Sequence, residues 1–166
     1  GAKNGDAPQW MAERLSAVGQ RPISALVDIT NYVMIDLGRP LHAYDADKVA
    51  GDRLIVRLAN KGEQVEALNE KTYSLEEGAL VIGDTHGLDD LAGIMGGLDS
   101  SVQEETCNIF LEAAHFTAVN LAGKARKFGM HTDASHHFER GVDAQLPPVA
   151  MQRATQLLID IAGGEA

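Results

Sequence analysis

The sequence predicts an α+β fold in which helices flank a strand-rich, mixed or antiparallel β core. Helical apolar spacing occurs at both ends, and short apolar runs punctuated by Gly, Asn and Asp fill the middle. The regular strand–helix alternation of a doubly wound parallel sheet is absent.

In chain order, a short helix carries Trp10, Met11, Arg14 and Leu15 and ends near Gly19. A longer helix is expected over about residues 22 to 37, because Ile23, Leu26, Val27, Thr30, Met34 and Leu37 recur at helical spacing. Pro22 suits its first turn and Gly38 its stop. The runs LIVRLA (54 to 59), ALVIGD (79 to 84), LAGIMGG (91 to 97) and NIFLEAAHF (108 to 116) read as strands. Helix returns at Thr117, a suitable N-cap, with Leu121, Ala122, Ala125 and Phe128 on one face before Gly129. The last helix starts near Pro147 and Pro148 and aligns Ala150, Ala154, Leu157, Leu158 and Ile161.

With 166 residues the chain can bury one sizeable core, so a single module over 1 to 166 is expected, with 52 to 108 as a candidate inserted strand-rich lobe. A hydrophobic fraction of 45% and a charged fraction of 23% exclude disorder and fibrous repeats. No apolar run approaches the roughly 20 residues that span a bilayer. The first residues, GAKNGDAPQW, lack the features of a signal peptide, so a cytoplasmic location without membrane contact is expected, and the chain reads as a fragment. The single Cys107 is expected to be a buried small hydrophobe and a poor nucleophile. A net charge of −10 argues against broad binding to a nucleic-acid backbone, so any RNA contact must be local.

Glu112 is the most informative residue, because FLEAAHF places a carboxylate in an apolar run where burying an unpaired charge is costly. Either period-two alternation turns it to solvent or onto a structural Arg, or it awaits a polar ligand group. His42, in GRPLHAYD, is expected on a loop from which an imidazole reaches a pocket or serves the structure. Gly96 and Gly97 either admit a ligand to the backbone or form a tight turn.

Lys124, Arg126 and Lys127 cluster in an otherwise acidic chain, as a phosphate-attracting patch or a solvated helix face. Thr132, Asp133 and Ser135 are expected to form a polar, pocket-lining loop. His131, His136, His137 and Glu139 match no zinc-hydrolase spacing, so no metal is expected. GxSxG, GxxxxGK[ST] and a Cys/His pair are also missing, which leaves a positioned water as the nucleophile of any hydrolysis.

Taken together, RPISALVDITNYVMIDLGRPLHAYD (21 to 45), LAGIMGG, IFLEAAHF (109 to 116) and GMHTDASHHFERGVD (129 to 143) closely resemble the third and fourth domains of bacterial phenylalanyl-tRNA synthetase beta subunits. The resemblance implies an α+β editing module that hydrolyses the ester of tyrosyl-tRNA(Phe) and needs no cofactor of its own. It further implies an α2β2 enzyme whose ATP- and magnesium-dependent synthetic site lies on the alpha subunit. The implied partners are the tRNA(Phe) acceptor end, the tyrosine moiety, the other beta-subunit domains and the alpha subunit.

The family's editing residues carry over to His42, Gly96, Glu112, Thr132 and Ala134, with Arg21 and Asn31 as further pocket-lining positions. Two departures stand out: His137 replaces the usual arginine of that motif, and Leu88, Asp89 and Asp90 replace a small apolar approach to the glycine pair.

The two candidate amino acids differ by one hydroxyl, and an editing site must accept the larger, so hydrogen bonding has to select. Glu112 suits that task, while backbone N–H groups near Gly96 or Thr132 to Ala134 suit a developing oxyanion. His42 suits orientation of a water or of ribose hydroxyls. The alternative function is a non-catalytic module that binds an amino acid or a tRNA 3′ end.

Overall fold

The computed structural model describes residues Gly1–Ala166. Its elements run α1 (Gln9–Ala17), α2 (Ala25–Leu37), β1 (His42–Asp45), two 3₁₀ turns, β2 (Ile55–Leu58), β3 (Gln64–Glu66), β4 (Thr72–Ser74) and β5 (Leu80–Gly83). They continue with β6 (Leu88–Leu91), β7 (Ile109–Glu112), α3 (Ala118–Leu121), α4 (Lys124–Lys127), α5 (Asp133–Arg140) and α6 (Pro147–Ala162). The strand pairs are antiparallel, so the α+β expectation holds.

The chain forms two compact units. The first comprises Gly1–Asp45, Val102–Ala114 and Asp143–Ala166; the second comprises Ala46–Ser101 and His115–Val142. The span 52 to 108 is therefore divided, with residues from Val102 onward in the first unit.

In the first unit, α1, α2 and α6 bury one apolar stripe each around Met11, Leu15, Ile29, Tyr32, Val33, Ala150, Ala154 and Leu157. Helix α2 begins three residues later than the apolar spacing suggests. The Ala25 N–H is taken by the Gly5 carbonyl at 2.7 Å, and Ser24 is fully extended at φ −160° and ψ 160°. Asp28 reaches back to accept the Ile23 N–H at 2.9 Å, which fixes the non-helical entry. The stop at Gly38 is as expected: its φ of 65° is the left-handed region where a Cβ is unfavourable. Strands β1 and β7 then form a two-stranded ladder.

In the second unit, β2, β5 and β6 make a three-stranded sheet, and β3 with β4 makes a hairpin. Their core is Ala59, Val65, Leu75, Val81, Leu91, Ile94, Ala125 and Met130.

Several expectations for local structure are corrected. LAGIMGG is not a strand: β6 ends at Leu91, and the Ile94 and Met95 N–H groups both return to the Leu91 carbonyl, at 2.9 and 3.1 Å. Gly93, at φ 69°, makes this turn possible, since a Cβ there would lie 2.5 Å from a Leu121 methyl. The helix from Thr117 is two single turns, α3 and α4, broken at Gly123 with φ 73°. The polar stretch after Thr132 is helix α5 and not a loop. Cys107 is exposed, because it precedes the apolar run of β7 and lends its carbonyl to the Ala2 N–H at 2.8 Å.

Candidate functional site

In the first unit, β1 and β7 pair so that His42 lies directly opposite Glu112 and Tyr44 opposite Phe110. Side chains two apart on a strand share a face, so all four lie on one side of the ladder. His42 is therefore a strand residue, correcting the loop expectation, and Glu112 ends its strand instead of lying mid-run. Both are half-buried.

The Tyr44 hydroxyl donates to Glu112 Oε2 at 2.8 Å. The Tyr44 ring is edge-on to His42, with centroids 4.6 Å apart and an interplanar angle of 83°. Fully buried Arg39, in the turn ahead of β1, donates to the Ala114 carbonyl. Burial pulls the Arg39 guanidinium below its ordinary value, and attraction to the Glu112 and Asp143 carboxylates acts against that pull. Glu112 thus lies within reach of the Arg39 charge.

Tyr44 and Arg39 went unselected in the sequence. Tyr44 had a usable signal, since it stands two residues after His42 in LHAYD and hence on its face once a strand is assumed. Arg39, in the turn GRPL, had none. Arg21 is exposed in the segment ahead of α2, and Asn31 is half-buried on α2. Of the expected residues in this unit, His42 and Glu112 are the two brought face to face.

The second unit places Gly96, Thr132 and Ala134 as follows. The Gly96 carbonyl accepts the Leu68 N–H at 3.0 Å, and the Gly97 N–H donates to Asp90 Oδ1 at 2.7 Å. Thr132 caps α5: its Oγ1 accepts the Ser135 N–H at 3.1 Å and donates to the Ile94 carbonyl at 2.7 Å. This ties the α5 start to the turn that leads into Gly96. Ala134 lies in the first turn of α5, half-buried.

Leu88, Asp89 and Asp90 thus lie in β6, and Asp90 supports the glycine pair by accepting the Gly97 N–H. Asp89 is raised to about 6, chiefly by burial, with the charges of Asp84, Asp90 and Asp99 adding to the effect. His137 is lowered by burial and by neighbouring His136, against the pull of Asp133.

Lys124 is half-buried, Arg126 is exposed, and Lys127 lies 3.6 Å from Glu76 in an exposed pair of little energetic weight. No group of three or more His, Cys, Asp or Glu is arranged to hold a metal ion. No helix is long and apolar enough to cross a membrane.

Comparison with known families is decisive here: the profile described as "B3/4 domain" matches residues 1–163. The chain belongs to the B3/4 domain family. Relatives of this B3/4 domain include the phenylalanine–tRNA ligase beta subunit of Paramagnetospirillum magneticum, 52% identical over 166 residues, which is 100% of this chain and 21% of that protein. The same-named subunit of Neisseria meningitidis serogroup B is 52% identical over 159 residues, 96% of this chain and 20% of its own length. That of Psychrobacter arcticus is 51% identical over 161 residues, 97% of this chain and 20% of its own. The chain spans about a fifth of the length of these relatives. The resemblance drawn from the four motifs is borne out for this B3/4 domain.

Proposed function

We propose that this B3/4 domain is the editing module of a phenylalanine–tRNA ligase beta subunit, with residues 1 to 166 acting as that module. Its reaction is hydrolysis of tyrosyl-tRNA(Phe). Water adds to the ester carbonyl, the bond to the terminal ribose oxygen breaks, and free tyrosine and uncharged tRNA leave.

The observation that carries this reading is the facing of His42 and Glu112 across the β1–β7 ladder. An imidazole able to orient a water and a carboxylate able to select a hydroxyl stand side by side on two rigid strands. A charged Glu112 accepts a hydrogen bond from a substrate phenol, whereas bound phenylalanine leaves the desolvated carboxylate without that donor. Sites of this kind discriminate by as much as about 10⁴ to 10⁵.

Taken by itself, the second unit supports a related role for Gly96, Thr132 and Ala134. The Gly97 N–H is committed to Asp90, so the start of α5, with its positive end of the helix dipole, suits an oxyanion better than the glycine pair. Arg21 and Asn31 are proposed as further substrate contacts. Lys124 and Arg126, with Lys127 beside Glu76, are proposed to meet only one or two phosphates of the acceptor end. The wider enzyme, with its alpha subunit, tRNA, ATP and magnesium, belongs to the same proposal, as does a cytoplasmic location.

Deacylation of tyrosyl-tRNA(Phe) by the holoenzyme carrying Glu112→Ala tests it. Activity should fall by about a hundredfold or more, and retained rate and selectivity would overturn the assignment. Binding of tyrosyl-tRNA without turnover by the unaltered holoenzyme would favour the alternative of a binding module.

A further inference from the structure

We propose that Tyr44 is a positioning residue for tyrosine selection: its hydroxyl, bonded to Glu112 Oε2 at 2.8 Å, orients the carboxylate that reads the substrate phenol. The inference rests on the editing reading of Glu112 and deepens it.

Tyr44 is fully buried, with no solvent exposure, so its hydroxyl makes this bond without competition from bulk water. Its ring is held by edge contacts with His42 and with Phe110, the latter at 6.3 Å and 76°. The ladder register sets the reach. With His42 opposite Glu112 and Tyr44 opposite Phe110, Tyr44 is the diagonal neighbour of Glu112, a separation that a tyrosine side chain bridges.

A tyrosine already occupying the carboxylate could instead be a competitor that the substrate displaces. The buried ring and the β1 rung oppose that reading, because displacement would require a core side chain to leave its packing. A carboxylate offers about four acceptor positions, so a bond from Tyr44 and one from a substrate phenol are compatible. The Tyr44 hydroxyl fixes the direction of one Glu112 carboxylate oxygen. Held by Tyr44, the acceptor is ordered before binding, which favours a ligand with a hydroxyl over one without.

Tyr44→Phe keeps the ring and its edge contacts and removes only the donor. The readout is the ratio of kcat/KM for tyrosyl-tRNA(Phe) to that for phenylalanyl-tRNA(Phe), measured as deacylation by the holoenzyme beside Glu112→Ala and the double variant. Tyr44→Phe should lower the ratio by about tenfold or more, the scale of one charge-assisted hydrogen bond. In the Glu112→Ala background it should lower the ratio no further, because its effect passes through Glu112.

An unchanged ratio in Tyr44→Phe, with the ratio lost in Glu112→Ala, overturns the positioning role and leaves the editing reading intact. Equal losses toward both substrates, or loss of folding, assign Tyr44 to the core and also overturn it. A ratio preserved in Glu112→Ala overturns both.

Discussion

The backbone N–H of Gly97 donates to the Asp90 carboxylate at 2.7 Å, closing the turn after β6 onto the strand that precedes it. A Cβ on Gly97 would strike the carbonyl oxygen of Asp89, which is backbone and cannot rotate away. Gly97→Ala should therefore destabilise the protein by roughly 1–3 kcal/mol, as other forced overpacking does. Gly87→Ala, where a Cβ meets nothing within 4 Å, should be near neutral, and urea unfolding of the two variants checks the contrast.

The raised pKa of Asp89, about 6 against an ordinary 3.8, has a defined sign. The folded state holds its proton more tightly than the unfolded chain, so stability contributed by the protonated form is present at low pH and is lost as pH rises from about 4 through about 6. Asp89→Asn should flatten that part of the melting-temperature profile and raise stability at pH 7.5 by about 1–3 kcal/mol. Melting curves across that range decide it. An unaltered slope in the variant would show that another group is responsible.

Thr132 serves the fold as well as the proposed chemistry. Thr132→Ala removes the α5 cap and the bond to the Ile94 carbonyl together, and should cost about 1–2 kcal/mol. Thr132→Ser retains the hydroxyl and should recover most of that stability. If deacylation falls in Thr132→Ala and returns in Thr132→Ser, the hydroxyl and not the methyl is what matters.

For His42, function and stability should separate. His42→Ala gives up an edge contact with Tyr44 worth about 0.5–1.5 kcal/mol, while deacylation of tyrosyl-tRNA should slow by about tenfold to a hundredfold or more. Thermal melting alongside single-turnover deacylation checks both quantities. A loss of folding large enough to explain the rate would make His42 a structural residue.

The helical ends were legible because each buries a single stripe: Leu15 on α1, Ile29 and Val33 on α2, Ala150, Ala154 and Leu157 on α6. Gly38 marked its helix end through backbone conformation alone. The break at Gly123 was hidden, since Leu121 and Ala125 remain buried on either side and preserve the spacing of a continuous helix. Helix α5 was hidden because DASHHFER is mostly polar and its cap pairs Thr132 with Ser135 where a Glu or Gln is the usual signal. In the candidate site, Glu112 was visible as a carboxylate among apolar neighbours. Its partner Tyr44 became visible only when His42 proved to lie on a strand, because register is a relation between two segments that neither contains alone.

The turn from Gly38 to Leu41 feeds directly into that ladder. One added residue there, if it moved the start of β1, would slip the pairing by a rung and send His42 and Tyr44 to the opposite face, away from Glu112. Substituting Arg39 in the turn removes one buried donor to the Ala114 carbonyl, but a change in the turn's length rewrites every cross-strand pair at once. Descendants of this sequence should thus keep both the residue count of that connection and the buried Arg39 within it.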